Sequence, residues 1–253
     1  MAFDSEVTTD GVTERLFELT VAGERVTCVL WAPENAKGPR PLICMGHGGT
    51  QNKKTPGIVA RANNLARRHG YATLAIDGPG HGDRVSKEER ERFARETQAR
   101  IAAQTAGGPR AAIVDRSAQH TPEWKAALDH VQALDFVGAG KVGYWGVSMG
   151  THLGVPFVAA EPRITCAIFG LLGLREGSFA DAARSITIPL QFIFQWDDEL
   201  MTREAGVALF NAFGSTEKTM HINPGKHVGI PAFEAADWEA FYLRHLGRAA
   251  DAP

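Results

Sequence analysis

Lys141-Val142-Gly143-Tyr144-Trp145-Gly146-Val147-Ser148-Met149-Gly150-Thr151-His152 decides how this chain is read. Its first half is a short apolar run of strand character, its second half opens a helix-like run, and between them stands Gly-x-Ser-x-Gly. A serine on a tight strand-to-helix turn needs small residues two positions before and two after it, because the turn presses those positions against neighbouring main chain. Gly146 and Gly150 meet that demand. A helix starting there directs free N–H groups and its positive dipole end towards the serine, where negative charge develops during attack on a carbonyl. The pentapeptide alone recurs by chance in glycine-rich chains; its placement between strand and helix gives it weight.

Outward from this turn, short continuous apolar runs recur: Leu42 to Met45, Ala72 to Ile76, Val142 to Trp145, Ile164 to Leu171 and Leu190 to Phe194. Continuous rather than alternating apolar strands imply burial on both faces, as in a parallel sheet covered by helices. Between them lie segments of helical period, Ile58 to His69, Trp124 to Phe136, Thr151 to Ala160, Arg203 to Phe213 and Asp237 to Leu246. Two β-rich runs, Glu14 to Val21 and Arg25 to Trp31, precede them and are separated by Ala22-Gly23-Glu24, which predicts an antiparallel hairpin. The fold class is therefore α/β: a mainly parallel central sheet with an N-terminal antiparallel hairpin and helices on both faces. Residues 84–123 exceed an ordinary connection. Ser86-Lys87-Glu88-Glu89 reads as a capping box opening a charged helix, broken at Gly107-Gly108-Pro109. A small helical cap insertion over the carboxyl ends of the strands is expected.

A length of 253 residues, 44% hydrophobic, suits a single domain, 1–253. The formal net charge of −2 gives no global basic field for nucleic acid or anionic lipid, so neither is an expected partner. Cys28, Cys44 and Cys166 each lie inside an apolar run without a Cys-x-x-Cys pair, and are expected as reduced core thiols. The acidic, polar opening MAFDSEVTTDG lacks signal-peptide character, and no apolar run has membrane-spanning length. A soluble cytoplasmic protein is the expectation, with oligomeric state open and a homodimer allowed.

Gly146-Val147-Ser148-Met149-Gly150 after an apolar strand resembles the nucleophile elbow of the α/β-hydrolase superfamily, and the resemblance runs from Leu42 to Leu246 in segment order. Its esterase and dienelactone-hydrolase-like members are most similar. Ser148 stands where dienelactone hydrolases carry cysteine, and where haloalkane dehalogenases and epoxide hydrolases carry aspartate. Met45-Gly46-His47-Gly48-Gly49-Thr50 resembles the family's oxyanion loop, which implies the N–H groups of Gly49 and Met149 as oxyanion donors, with Gly48 the second choice for the loop donor. His47 is read as a structural hydrogen-bonding residue. Asp77-Gly78-Pro79-Gly80-His81-Gly82 resembles a loop-shaping turn of the superfamily, with His81 structural.

A serine hydroxyl needs a base to become nucleophilic. The family's order Ser, acid, His places that base on a late loop, here Asn223-Pro224-Gly225-Lys226-His227, and selects His227 among nine histidines. His152 is left as structural, His221 projects from a strand, and His245 is expected to reach the surface. The orienting carboxylate belongs after Leu190 to Gln195, in Trp196-Asp197-Asp198-Glu199. The family register selects Asp198 over Asp197, with Glu176 third; the acid left over is expected to cap the helix near Thr202. The implied reaction is hydrolysis of carboxylic esters through an acyl-enzyme on Ser148, requiring no metal or organic cofactor. Two alternatives stay open: a lactone or carbon–carbon bond hydrolase using the same triad, and a non-catalytic ligand-binding protein of this fold.

Overall fold

The computed structural model describes residues 3–108, 114–175 and 179–252. Nine strands form one sheet in the order β1-β2-β3-β5-β4-β6-β7-β8-β9. The antiparallel edge is β1 (Ser5–Thr9), β2 (Val12–Val21) and β3 (Glu24–Pro33), and β3 pairs antiparallel with β5 (Ala72–Ile76). From β5 onward every pairing is parallel, through β4 (Leu42–Gly46), β6 (Val142–Val147), β7 (Ile164–Gly170), β8 (Leu190–Gln195) and β9 (Lys218–Asn223). The predicted Ala22-Gly23-Glu24 break is a two-residue turn. Ala22 and Gly23 take φ of 51° and 85°, and Glu24 already pairs with Val21. The twist of paired strands favours such positive-φ turns.

β1 goes beyond the predicted hairpin. Thr9 pairs with Val12 across Asp10-Gly11, both at positive φ. An Asp-Gly pair between β-rich runs is the signal that marks such a turn.

Helices cover both faces. α1 (Pro56–His69) and α7 (Glu234–Leu246) bury Ile58, Ala62, Leu65, Trp238, Phe241 and Leu246 against one face. On the other, α3 (Ser117–Gln132), α4 (Met149–Ala160), α5 (Ala180–Ser185) and α6 (Arg203–Ala212) bring in Trp124, Leu128, Val155, Phe157, Ala183 and Leu209. α3 begins seven residues before its expected start, because His120 and Glu123 are fixed inside it. Glu123 accepts both guanidinium N–H groups of Arg84 at 2.8 Å and lies 3.0 Å from His120 Nδ1. The Trp124 indole donates to the other nitrogen of that ring at 2.9 Å.

The inserted segment carries α2 (Lys87–Thr105), capped by Ser86 in the predicted box: Glu89 N–H donates to Ser86 Oγ and Ser86 N–H to the Glu89 carboxylate. Gly107 and Gly108 follow its end; Pro109 lies outside the described residues. Thr97 is its one buried residue, so α2 lies on the surface of the sheet-and-helix body. The three cysteines are unpaired and buried, and burial pushes each thiol up. Among the described residues no helix is long and apolar enough to cross a membrane.

The chain leaves β4 towards β5 on one side and reaches β6 on the other, so the winding direction reverses between β4 and β6. Such a reversal opens a crevice at the carboxyl ends of the two strands. Ser148 and the His47-Gly48-Gly49 loop leave from those ends.

Candidate active site

Ser148 sits between β6 and α4 at φ 56°, ψ −117°, a conformation costly for a side-chain-bearing residue. Close packing holds it there. A Cβ on Gly146 would stand 2.7 Å from the Gly150 carbonyl oxygen, and one on Gly150 would stand 2.6 Å from that of Gly46. The contacts are main chain against main chain, so no side-chain rotation relieves them. The turn is pinned by Ser148 N–H donating to the Gly170 carbonyl at 2.9 Å and by the Tyr144 hydroxyl donating to that of Gly150 at 2.7 Å.

His227 arrives on the loop after β9. Its Nε2 lies 2.9 Å from Ser148 Oγ, and its Nδ1 lies 2.8 Å from Asp198 Oδ2. An ionised carboxylate only accepts, so Nδ1 carries the proton and Nε2 offers its lone pair to the serine hydroxyl. Asp198 is held in turn: its Oδ1 accepts the N–H groups of Leu200 and Met201 at 2.8 and 3.2 Å, and its side chain is 1% exposed. Glu199 fixes the loop from below, accepting His227 N–H at 3.0 Å.

The neighbouring acid does something else. Asp197 is exposed and accepts Gly225 N–H at 3.3 Å, bracing the histidine loop. It does not cap α6, as the leftover acid was expected to; Thr202 does, its hydroxyl accepting Ala205 N–H at 3.3 Å. Five residues nearer the helix, Thr202 reaches the free donors that Asp197 cannot. Glu176 lies outside the described residues.

The glycine loop after β4 distinguishes its two donor candidates. Gly48 N–H donates to the Gln51 side-chain carbonyl at 3.1 Å. Gly49 has open space where a Cβ would stand. Met149 is the first residue of α4, where an N–H has no intrahelical acceptor. His47 buttresses this loop: its Nε2 accepts Gly78 N–H at 2.9 Å, so its Nδ1 carries the proton and donates to the Gly48 carbonyl at 2.8 Å. Burial pushes its pKa down to about 4, which keeps the ring neutral.

Asp77 organises the turn after β5. It accepts from Thr27 at 2.7 Å, from Lys53 N–H at 2.8 Å and Nζ at 2.7 Å, and from Asp83 N–H at 3.0 Å. Burial opposes its charge, but Lys53 overrides this and holds the carboxyl below the usual range. His81 Nδ1 lies 3.0 Å from the Pro79 carbonyl, a contact inside the turn.

Of the other histidines, His152 packs edge-on against Phe179, 3.7 Å from Asp115. His245, in the last turn of α7, packs on Phe241 one turn earlier and lies 3.5 Å from Glu217 with only 11% of its side chain exposed, so it does not reach freely into solvent.

Sequence reading did not find Gln104. From α2 its amide donates to the Leu200 carbonyl at 2.9 Å, joining the inserted helix to the loop that carries Asp198. Phe93, on the same helix, meets His81 edge-on at 5.1 Å. Both contacts span long sequence separations, and no local pattern announces them.

No family profile matches the chain, and no curated protein matches it by sequence. Solved structures do. A cold-adapted esterase from an Arctic intertidal metagenomic library, bound to polyethylene glycol, is 35% identical, with 97% of this chain and 100% of that one covered at a TM-score of 0.80. This chain belongs to the α/β-hydrolase esterases. The acetyl xylan esterase of Paenibacillus sp. R4 shares the esterase fold at 15% identity and a TM-score of 0.69, covering 97% of this chain and 90% of its own. Est1E of Butyrivibrio proteoclasticus, bound to ferulic acid, shares the fold at 19% identity and a TM-score of 0.69, over 92% of this chain and 100% of its own.

Proposed function

We propose that this esterase hydrolyses small carboxylic esters by two-step acyl transfer on Ser148. The observation that carries the reading is the unbroken line from Asp198 through His227 to Ser148, with contacts of 2.8 and 2.9 Å. As Ser148 Oγ attacks the carbonyl carbon, His227 Nε2 takes its proton, and Asp198 stabilises the imidazolium that forms. The N–H groups of Gly49 and Met149 hold the oxyanion, a role supported by the commitment of Gly48 N–H to Gln51. His227 returns the proton to the departing alkoxide. Water then attacks the acyl-enzyme with the same base, releasing acid and free Ser148.

In this reading the chain is one domain, and the inserted helix α2 (Lys87–Thr105) forms a cap over the crevice, while residues 117–123, expected in the insertion, belong to α3 on the sheet. The contacts of α2 with Leu200 and His81 support that placement. The glycine-flanked serine turn and the buried Asp198 carboxylate do the positioning, and the chemistry needs nothing beyond protein groups and water. A cytoplasmic setting belongs to the same reading and is supported by three unpaired buried thiols.

The test is a panel of p-nitrophenyl esters of two to eight acyl carbons. Wild type turns over the short members, and H227A loses about 10⁴-fold or more in kcat. Equal rates for wild type and H227A refute the mechanism.

A further inference from the structure

The loop that carries His227, residues 224–233, leaves β9 at Asn223 and enters α7 at Glu234. At this stem stand His221, Glu234 and Asp237, whose ligand-capable atoms all lie within 4.8 Å of one another. His221 Nδ1 is 3.1 Å from Glu234 Oε2. Asn223 donates to the other carboxylate oxygen at 2.7 Å, aiming Oε2 at the imidazole. Such an outer partner is what a metal-ligating carboxylate requires to keep its orientation.

A second observation points the same way. His221 Nδ1 is also approached, at 3.0 Å, by the side-chain amide nitrogen of Gln191 on β8, a residue 2% exposed. One ring nitrogen does not satisfy both neighbours. With a proton it faces the amide N–H; without one its lone pair faces a carboxylate. Turning the Gln191 amide over presents its oxygen to the same point. Either a proton on Nδ1 or an ion then satisfies both neighbours, and only an ion also draws in the Asp237 carboxylate. Among the described residues, neither Glu234 nor Asp237 forms an ion pair with a lysine or arginine.

We infer that His221, Glu234 and Asp237 bind a divalent transition-metal ion that fastens β9 to α7 at the stem of the His227 loop. One imidazole and two carboxylates suit Zn²⁺, whose bonds to nitrogen and oxygen are about 2.0–2.2 Å, which sets tetrahedral ligand atoms about 3.3 Å apart. His221 Nδ1 and Glu234 Oε2 already stand at about this spacing, and the Asp237 carboxylate, within 4.8 Å of both, turns in to complete it. The ion is structural and stands outside the acyl-transfer steps.

The test is calorimetric titration of the full-length, chelator-stripped protein with Zn²⁺, paired with thermal unfolding. Wild type binds one ion at this site, and saturating Zn²⁺ raises the melting midpoint by about 3 °C or more. H221Q weakens that binding at least tenfold and abolishes the shift. D237N, altered at an exposed position where folding is not at stake, does the same, while H227Q retains both. Absence of binding to wild type overturns the inference. So does unchanged binding in H221Q and D237N, or loss of binding in H227Q alone, which moves the ion to the catalytic histidine.

Discussion

At the scale of single residues, the account rests on which of two adjacent acids faces the imidazole. Asp198 accepts two backbone N–H groups and the His227 ring, whereas Asp197 points outward to Gly225. D198N replaces an obligate acceptor by an amide and favours the wrong histidine tautomer; kcat is expected to fall about 10³–10⁴-fold. D197N keeps an oxygen that can accept the Gly225 N–H and loses only an exposed 3.9 Å ion pair with Arg203, so its kcat is expected to stay within about threefold of wild type, as steady-state kinetics on one short ester would show. Ser148 is marked in the sequence by its glycine-flanked turn, whereas His227 and Asp198 follow from the family resemblance, from its order of serine, acid and histidine and its register after the strand that ends at Gln195. Glu199 and Gln104 are not legible in sequence. Their partners, His227 and Leu200, are 28 and 96 residues away, and such contacts are set by packing rather than by local pattern.

At the scale of elements, the approach of α4 to the end of β4 fixes the serine's geometry. G150A drives a Cβ to 2.6 Å from the Gly46 oxygen, so the helix start must shift. A loss of about 2 kcal/mol or more in unfolding free energy is expected from denaturant titration, with activity falling further than stability. α2 is the opposite case. It buries Thr97 alone, so it depends on its cap, and S86A is expected to raise amide exchange across residues 87–92 by roughly fivefold, as about 1 kcal/mol of local stability is lost. That capping box was readable from four residues. β1 was passed over because its polar, exposed strand lacks an apolar face, although Asp10-Gly11 marks the turn. The early start of α3 was hidden because a buried network of Arg84, His120 and Glu123 replaces the apolar periodicity that sequence reading follows.

At the scale of the whole molecule, the alternation of strands and helices was legible, and the neighbour order β5-β4-β6 was not, since pairing across the sheet depends on contacts between distant segments. That order places the serine turn and the glycine loop side by side at the point where the winding reverses. Burial also gives the molecule a common acid response. His47, His81, His120 and His152 are all held below the ordinary histidine pKa by desolvation. The unfolded chain therefore binds more protons than the folded one as pH drops below about 6.5. The stability from neutral burial is fully present above that pH and is lost progressively as pH falls, for His47 down to about 4. Melting midpoints measured from pH 7 to pH 4 are expected to fall, with a shallower slope in H47Q.

The central claim is that Ser148, activated by His227, is the group that takes up the acyl chain. A fluorophosphonate reacts covalently only with an activated hydroxyl, so mass spectrometry of the reacted protein reads that claim directly. The account predicts a single adduct on the tryptic peptide containing Ser148, matching the loss of ester hydrolysis in extent and absent from S148A. Undiminished hydrolysis by S148A, or labelling at another residue with Ser148 unmodified, would contradict it.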